Sequence, residues 1–161
     1  MKSDKYEEAY DLAYKYEAEK GHCAQCVLVA INEVNNIDNE DMVKAIDGLT
    51  GGTALTTEGI CGALAAGIIA ISSFTGRTYE DFKKNQKNHT WKFVQEFYNK
   101  FIEFYGSPIG KEVQKKIMGR SYKFTDEEEK KLFEAAGGHD NKCPSVCGNA
   151  AKWATEIIAK L

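Results

Sequence analysis

Apolar residues recur at helical spacing along most of the chain, and no stretch alternates apolar and polar residues for the length of a strand. The first helix is predicted to be capped by Ser3 and to end at Gly21, and a second is predicted over about 22–34. A short helix over 41–47 and a glycine-rich turn follow. Residues 58–75 are apolar on nearly every side, which is typical of a helix at the centre of a fold.

Four further helices are predicted in the second half of the chain. Thr78 and Asp81 have the spacing of a capping box, which opens one long helix predicted to reach Tyr105. The next is predicted to be capped by Ser107, with Pro108 in its first turn, and to end before Gly119. The third of these helices is predicted to start with a capping box at 125–128. The last is predicted to start at Pro144, with Cys143 as its N-cap. The pattern therefore predicts an all-α fold, a single domain over 1–161 made of about seven helices around the helix 58–75.

Length and charge narrow the classes of function. A chain of 161 residues fits one domain, and the formal net charge of −3 provides no basic field for nucleic acid. Residues 1–8 are charged and lack the apolar stretch of a signal peptide. The longest apolar run, 60–74, is shorter than the roughly 20 residues that a membrane span needs. We therefore expect a cytoplasmic protein that binds neither nucleic acid nor membrane, whose thiols stay reduced.

Five cysteines are the unusual part of the composition, and they fall at the predicted starts of three helices. Cys23 and Cys26 form a C-x2-C motif, Cys143 and Cys147 a C-x3-C motif, and Cys61 opens the central helix. Residues three or four apart share a helix face, so each pair can direct two sulfurs at one target. Helix N-termini carry partial positive charge, which favours thiolate. We therefore predict one shared cysteine site, where metal binding or redox chemistry takes place.

Segments in this order along the chain resemble the family of redox-active proteins named for its C-GCAxxG-C-C motif. The matching segments are 22–28, 48–52, 58–67, 105–107 and Cys143-Pro144. The resemblance implies a helical protein with redox chemistry at its cysteines. Split-Soret cytochromes carry a related helical segment whose cysteines hold an iron–sulfur cluster. By this resemblance, the cofactor-binding residues are Cys23, Cys61 and Cys143.

One position departs from the family pattern. Gly110 stands where the family usually has a further cysteine, after the glycine–serine turn. Cys26 and Cys147 stand where the family commonly has other residues. We expect one of these two thiols to supply the missing fourth ligand, which leaves five candidate metal ligands: Cys23, Cys26, Cys61, Cys143 and Cys147.

Three functions fit these cysteines. The leading hypothesis is an iron–sulfur cluster, most simply [2Fe–2S], which exchanges electrons with a redox partner protein. The second is thiol–disulfide chemistry without a cofactor, at Cys23/Cys26 or Cys143/Cys147. The third is a structural zinc site in a helical binding module. Whether the protein is an oxidoreductase or an electron carrier stays open, as does a homodimer built on the apolar helix 58–75.

Overall fold

Helices account for all the regular structure that the computed structural model describes, which covers residues 4–161. Within this range there are nine α-helices and no β-strand, so the predicted all-α fold is confirmed. A 3-10 turn, Asp47–Leu49, follows the third helix, and a π-helical turn, Gly138–Lys142, precedes the last. The helices are α1 (Lys5–Lys20), α2 (Cys23–Asn35), α3 (Glu40–Ile46), α4 (Gly62–Thr75), α5 (Tyr79–Lys83), α6 (Thr90–Tyr105), α7 (Gly110–Met118), α8 (Glu127–Ala135) and α9 (Cys143–Ile158).

The core forms where α9 packs against α1, α2, α4 and α6. Both α1 and α9 bury small residues: Ala9 and Ala13 on α1, and Ala150 and Ala154 on α9, are completely buried. Such residues let helix backbones approach closely, which makes the cluster dense. The central position predicted for 58–75 is not confirmed, because α4 packs on α2, α6 and α9 while Phe74 near its end is exposed.

The apolar segment 58–75 is helical only from Gly62 onwards, so the predicted start at 58 is wrong. Thr57 has a φ of 61°, a left-handed conformation outside the α-helical region, so no helix continues through this residue. Ile60 then pairs with Ile109 in an isolated antiparallel bridge, and the Cys61 N–H donates to the Pro108 carbonyl at 2.8 Å. A contact with a distant segment therefore holds these residues extended.

The long helix predicted over 78–105 is also wrong, because it is two helices, α5 and α6. The capping box of Thr78 and Asp81 is present, but the chain turns at Asn85, whose φ is 50°. Asn88 and Thr90 both donate side-chain hydrogen bonds to the Thr75 carbonyl, at 3.1 and 2.5 Å. These bonds tie the start of α6 to the end of α4, so the break between α5 and α6 is held in place.

The remaining predicted helix starts shift by one or two residues. Ser3 lies outside the described residues, and the Asp4 side chain caps α1. Ile109 rather than Ser107 is the N-cap of α7, so Pro108 precedes this helix. Asp126 caps α8 by accepting hydrogen bonds from two backbone N–H groups, and Cys143 is the first residue of α9 rather than its cap. Among residues 4–161, no helix combines the length and the apolar character that crossing a membrane requires.

Candidate cysteine site

The N-termini of α2, α4 and α9 surround a cavity of about 440 Å³. Four of the five cysteines line it: Cys23, Cys61, Cys143 and Cys147. Gly110, the position at which the family pattern has a cysteine, lines the same cavity. Three helices distant in sequence thus bring four thiols to one space, and Gly110, where the family has a further cysteine, borders the same space.

Each of these thiols owes its position to the start of a helix. Cys23 is the first residue of α2, directly after Gly21 and His22, which both have left-handed φ values of 66° and 62°. Cys61 is the N-cap of α4. Cys143 opens α9, and Cys147 follows one turn later on the same face and is buried.

Cys26 lies apart from these four thiols. It is buried on α2, and its thiol donates to the Gly21 carbonyl at 2.7 Å. It lines a different surface hollow, together with Tyr16 and Val43. Of the two cysteines expected to stand in for the family cysteine at Gly110, the structure therefore brings only Cys147 into the cavity.

A left-handed loop forms one wall of the cavity. Residues 51–55 all have φ values between 51° and 70°, although only Gly51 and Gly52 are glycines. Such a run is rare, because each non-glycine residue in this region costs about 1 kcal/mol or more. A Cβ on Gly52 would lie 2.5 Å from the Thr57 Cα, so the loop closes on itself too tightly for a side chain there. The backbone N–H of Gly51 lowers the pKa of the Cys23 thiol, so this loop influences the protonation of that thiol.

Burial governs the protonation of the cavity thiols. Desolvation raises the pKa values of Cys23, Cys143 and Cys147 well above normal, and the nearby charge of Glu17 adds to this. Burial also raises the pKa of Cys61, although the backbone N–H groups of Ala63 and Leu64 oppose the effect. Burial therefore opposes the effect of the helix starts, which favours thiolate. A bound cation would reverse this balance.

Sequence reasoning missed Glu17, a buried carboxylate beside the thiols. Glu17 is only 2% exposed, lines the cavity and has one oxygen, Oε2, without a hydrogen-bond partner among residues 4–161. Its other oxygen, Oε1, lies 3.4 Å from Nε2 of His139, whose Nδ1 lies 2.5 Å from Glu134 Oε1. The hydrogen bond to Glu17 is the main reason that the pKa of His139 is raised to about 9.

The other histidine near the cysteines, His22, has a different environment. It is the N-cap residue of α2, and its Nδ1 lies 2.8 Å from Asp47 Oδ1 at the exposed rim of the cavity. Its ring is thus engaged with Asp47 at the surface.

The thiols surround the cavity without meeting at a point. All five cysteines are free, and no group of three His, Cys, Asp or Glu side chains in residues 4–161 is placed tightly enough to hold a single metal ion. The arrangement therefore has sulfur donors on several walls of one space.

The fold and the site together define a class of protein. It is all-α, and four cysteines in the first turns of its helices line one cavity. Residues 21–157 match the model of the family described as "Putative redox-active protein (C_GCAxxG_C_C)". The chain belongs to this redox-active family, as its sequence motifs indicated.

Two further comparisons complete this result. A protein of Archaeoglobus fulgidus, described as "Uncharacterized protein", is 36% identical over 97 residues, which cover 56% of this chain and 63% of that protein. The alignment thus spans somewhat less than two thirds of the relative. No solved structure matches the chain.

Proposed function

We propose that the chain is a redox protein whose four cavity thiols, Cys23, Cys61, Cys143 and Cys147, hold an iron–sulfur cluster. The observation that carries the proposal is the presence of these four sulfurs on one cavity. Four cysteine ligands are the usual set for [2Fe–2S] and [4Fe–4S] clusters, and [2Fe–2S] is the simplest choice. When bound, such a cluster would accept and donate single electrons.

The chemistry of the donor set fits this group. Thiols that burial keeps protonated become thiolates when they bind a metal, which releases protons as the metal enters. The backbone N–H groups of Gly51, Ala63 and Leu64 oppose the rise in the pKa values of Cys23 and Cys61, and N–H groups that bond to ligand sulfur raise a cluster's reduction potential. The buried Glu17 carboxylate acts in the opposite direction, since its negative charge favours the oxidised, less negative cluster.

The two alternative functions have less support. Thiol–disulfide exchange needs thiolate, and burial raises the pKa of all five cysteines, that of Cys26 to about 12. The Cys23 and Cys26 thiols also lie in different hollows. A structural zinc site needs four ligands around one ion at about 2.3 Å, whereas these sulfurs line the walls of a larger space.

Iron and sulfide analysis of protein purified without oxygen tests the proposal. We expect iron, acid-labile sulfide and visible absorption in the wild-type chain, and a large loss of all three in each of four variants: Cys23→Ser, Cys61→Ser, Cys143→Ser and Cys147→Ser. Cys26→Ser is the matched control, because it changes a buried cysteine outside the cavity and keeps a donor for the Gly21 carbonyl.

Two outcomes would count against the proposal. An iron-free wild-type protein, isolated under these conditions from cells supplied with iron, would remove the cluster. Equal iron loss in Cys26→Ser and Cys147→Ser would remove the assignment of the ligands. Zinc in place of iron would support the structural alternative.

A further inference from the structure

The segment 74–92, from the end of α4 to the start of α6, exposes several aromatic rings. Four of its side chains are between 47% and 77% exposed: Phe74, Tyr79, Phe82 and Trp91. They make up half of the eight large hydrophobic side chains that are exposed in the described part of the chain. Single exposed apolar residues are ordinary, whereas apolar side chains grouped on one surface mark a site of interaction.

This segment stands apart from the core. Its base is fixed by the hydrogen bonds that Asn88 and Thr90 donate to the Thr75 carbonyl. Between these points lies α5, on which no other helix of residues 4–161 packs extensively. Every residue of 76–87 except Asp81 is exposed. The rings are therefore displayed by a closed segment that contributes little to the packing of the fold.

The segment is also locally basic. Residues 77–92 contain five cations and two carboxylates, a net charge of +3, in a chain whose net charge is −3. Both carboxylates are already engaged, because Glu80 pairs with Lys83 and Asp81 accepts hydrogen bonds from Thr78 in the capping box. The other four cations form no ion pair within residues 4–161: Arg77, Lys84, Lys87 and Lys92.

Free cations beside exposed rings fit an anionic membrane surface better than a folded partner. Interfaces between proteins are depleted in lysine, whereas membrane-surface sites combine lysine and arginine with tryptophan and phenylalanine. Four of the five cations in 77–92 are lysines. The Arg77 guanidinium lies 5.5 Å from the centre of the Phe82 ring, so this ring can enter the headgroup layer with a cation at the level of the lipid phosphates. A symmetric dimer through the segment would bring two basic surfaces together, which is unfavourable.

We infer that the segment 74–92 binds the surface of membranes that contain anionic lipids. The rings of Phe82 and Trp91 enter the headgroup region, and the free cations contact lipid phosphates. We expected no membrane binding from the net charge and from the lack of a spanning segment, but neither criterion detects a local basic surface. The binding does not rest on the proposed function, because α4 separates the segment from Cys61 by about 20 Å of helix.

Trp91 provides a reporter of this binding, because the only other tryptophan, Trp153, is buried. In Trp153→Phe, vesicles of phosphatidylcholine and phosphatidylserine in equal parts should shift the Trp91 emission to shorter wavelength, and vesicles of phosphatidylcholine alone should leave it unchanged. Co-sedimentation of the wild-type chain with the same vesicles measures the affinity without a change in the core.

Two variants separate the contributions of charge and rings. The double variant Lys84→Gln/Lys87→Gln should bind the mixed vesicles at least about tenfold more weakly, since each cation near an anionic surface adds to the attraction. Phe82→Ser should also weaken binding, and its position on α5 keeps the change outside the core. The double variant Lys116→Gln/Lys123→Gln is the matched control, because both lysines are exposed, lie outside the segment and form no ion pair within residues 4–161.

Several outcomes would overturn the inference. They are no binding to the mixed vesicles, equal binding to both kinds of vesicle, and equal losses in the two double variants. Binding to polyglutamate or to oligothymidylate as tight as to the vesicles would instead assign the segment to an acidic protein or to single-stranded nucleic acid. Lys84→Gln/Lys87→Gln should keep the iron content of the wild type, so vesicle binding and the proposed cluster can fail separately.

Discussion

Gly62 offers a direct test of how closely α2 and α4 approach each other. These two helices carry the proposed ligands Cys23 and Cys61. It is the first residue of α4, next to Cys61, and a Cβ built on it would lie 2.5 Å from the Cys23 sulfur. The same Cβ would also lie 3.1 Å from the Leu49 carbonyl oxygen and 3.2 Å from the Ala24 Cβ, so it has little free space on these sides either. In Gly62→Ala the sulfur would have to move by about 0.9 Å to reach an ordinary contact of 3.4 Å.

The expected effects on stability and on metal binding differ in size. Overpacking costs about 1–3 kcal/mol, and the helix preference of alanine over glycine returns up to about 1 kcal/mol, so the variant should still fold. Metal–ligand distances tolerate only about 0.2 Å, however, so a displaced Cys23 should bind iron poorly. We expect Gly62→Ala to lose at least about half of its iron and no more than about 2 kcal/mol of unfolding free energy.

Iron analysis of anaerobic preparations and urea denaturation measure the two effects. Gly48→Ala is the matched control, because its new Cβ would meet nothing within 4 Å. A Gly62→Ala protein with the full iron content and stability of the wild type would refute the reasoning. It would mean either that the two helices do not approach so closely or that Cys23 is not a ligand.

Two further changes test the packing and the electrostatics around the site. A Cβ on Gly67 of α4 would overlap the ring of the fully buried Phe97. Gly67→Ala should therefore lower the unfolding free energy, measured by urea denaturation, by about 1–3 kcal/mol. An unchanged midpoint of urea unfolding would contradict this packing. Because Glu17 raises the folded-state pKa of His139 from 6.5 to about 9, the stability that protonated His139 contributes is complete below pH 6.5 and is lost as the pH rises through about 9. The stability difference between the wild type and His139→Gln should shrink over that interval in urea denaturation, and a constant difference would rule out this ion pair.

Features fixed by neighbouring residues were predictable from the sequence. Gly106 and Gly119 end α6 and α7 with φ values near 80°, which glycine adopts without strain. The Thr78 capping box was equally predictable, since its hydrogen bonds join residues three apart. By contrast, the start of α4 depends on Pro108 and Ile109, and the break before α6 depends on Thr75. Such contacts between distant segments leave no trace in local periodicity.

The site was predictable in outline, because both cysteine pairs and Cys61 do lie at helix starts. Spacing did not separate Cys26 from Cys147. At 100° per residue, Cys26 is rotated by about 60° from Cys23, and Cys147 by about 40° from Cys143, a difference too small to decide which thiol faces the cavity. The protonation of the thiols was not predictable either, since it depends on burial. Glu17 did have a signal: it continues the four-residue spacing of Ala9 and Ala13, which places a carboxylate on the buried face of α1.

The spread of the four thiols along the chain has a consequence for synthesis. Cys23 and Cys61 precede Cys143 by more than eighty residues, so a growing chain exposes the first two thiols well before α9 is made. Domains fold as units as they leave the ribosome, and contacts between distant segments form late. During that interval α1, α2 and α4 have no α9 to pack against, and Cys23 and Cys61 are open to premature oxidation. Docking of α9 therefore both completes the core and protects the thiols.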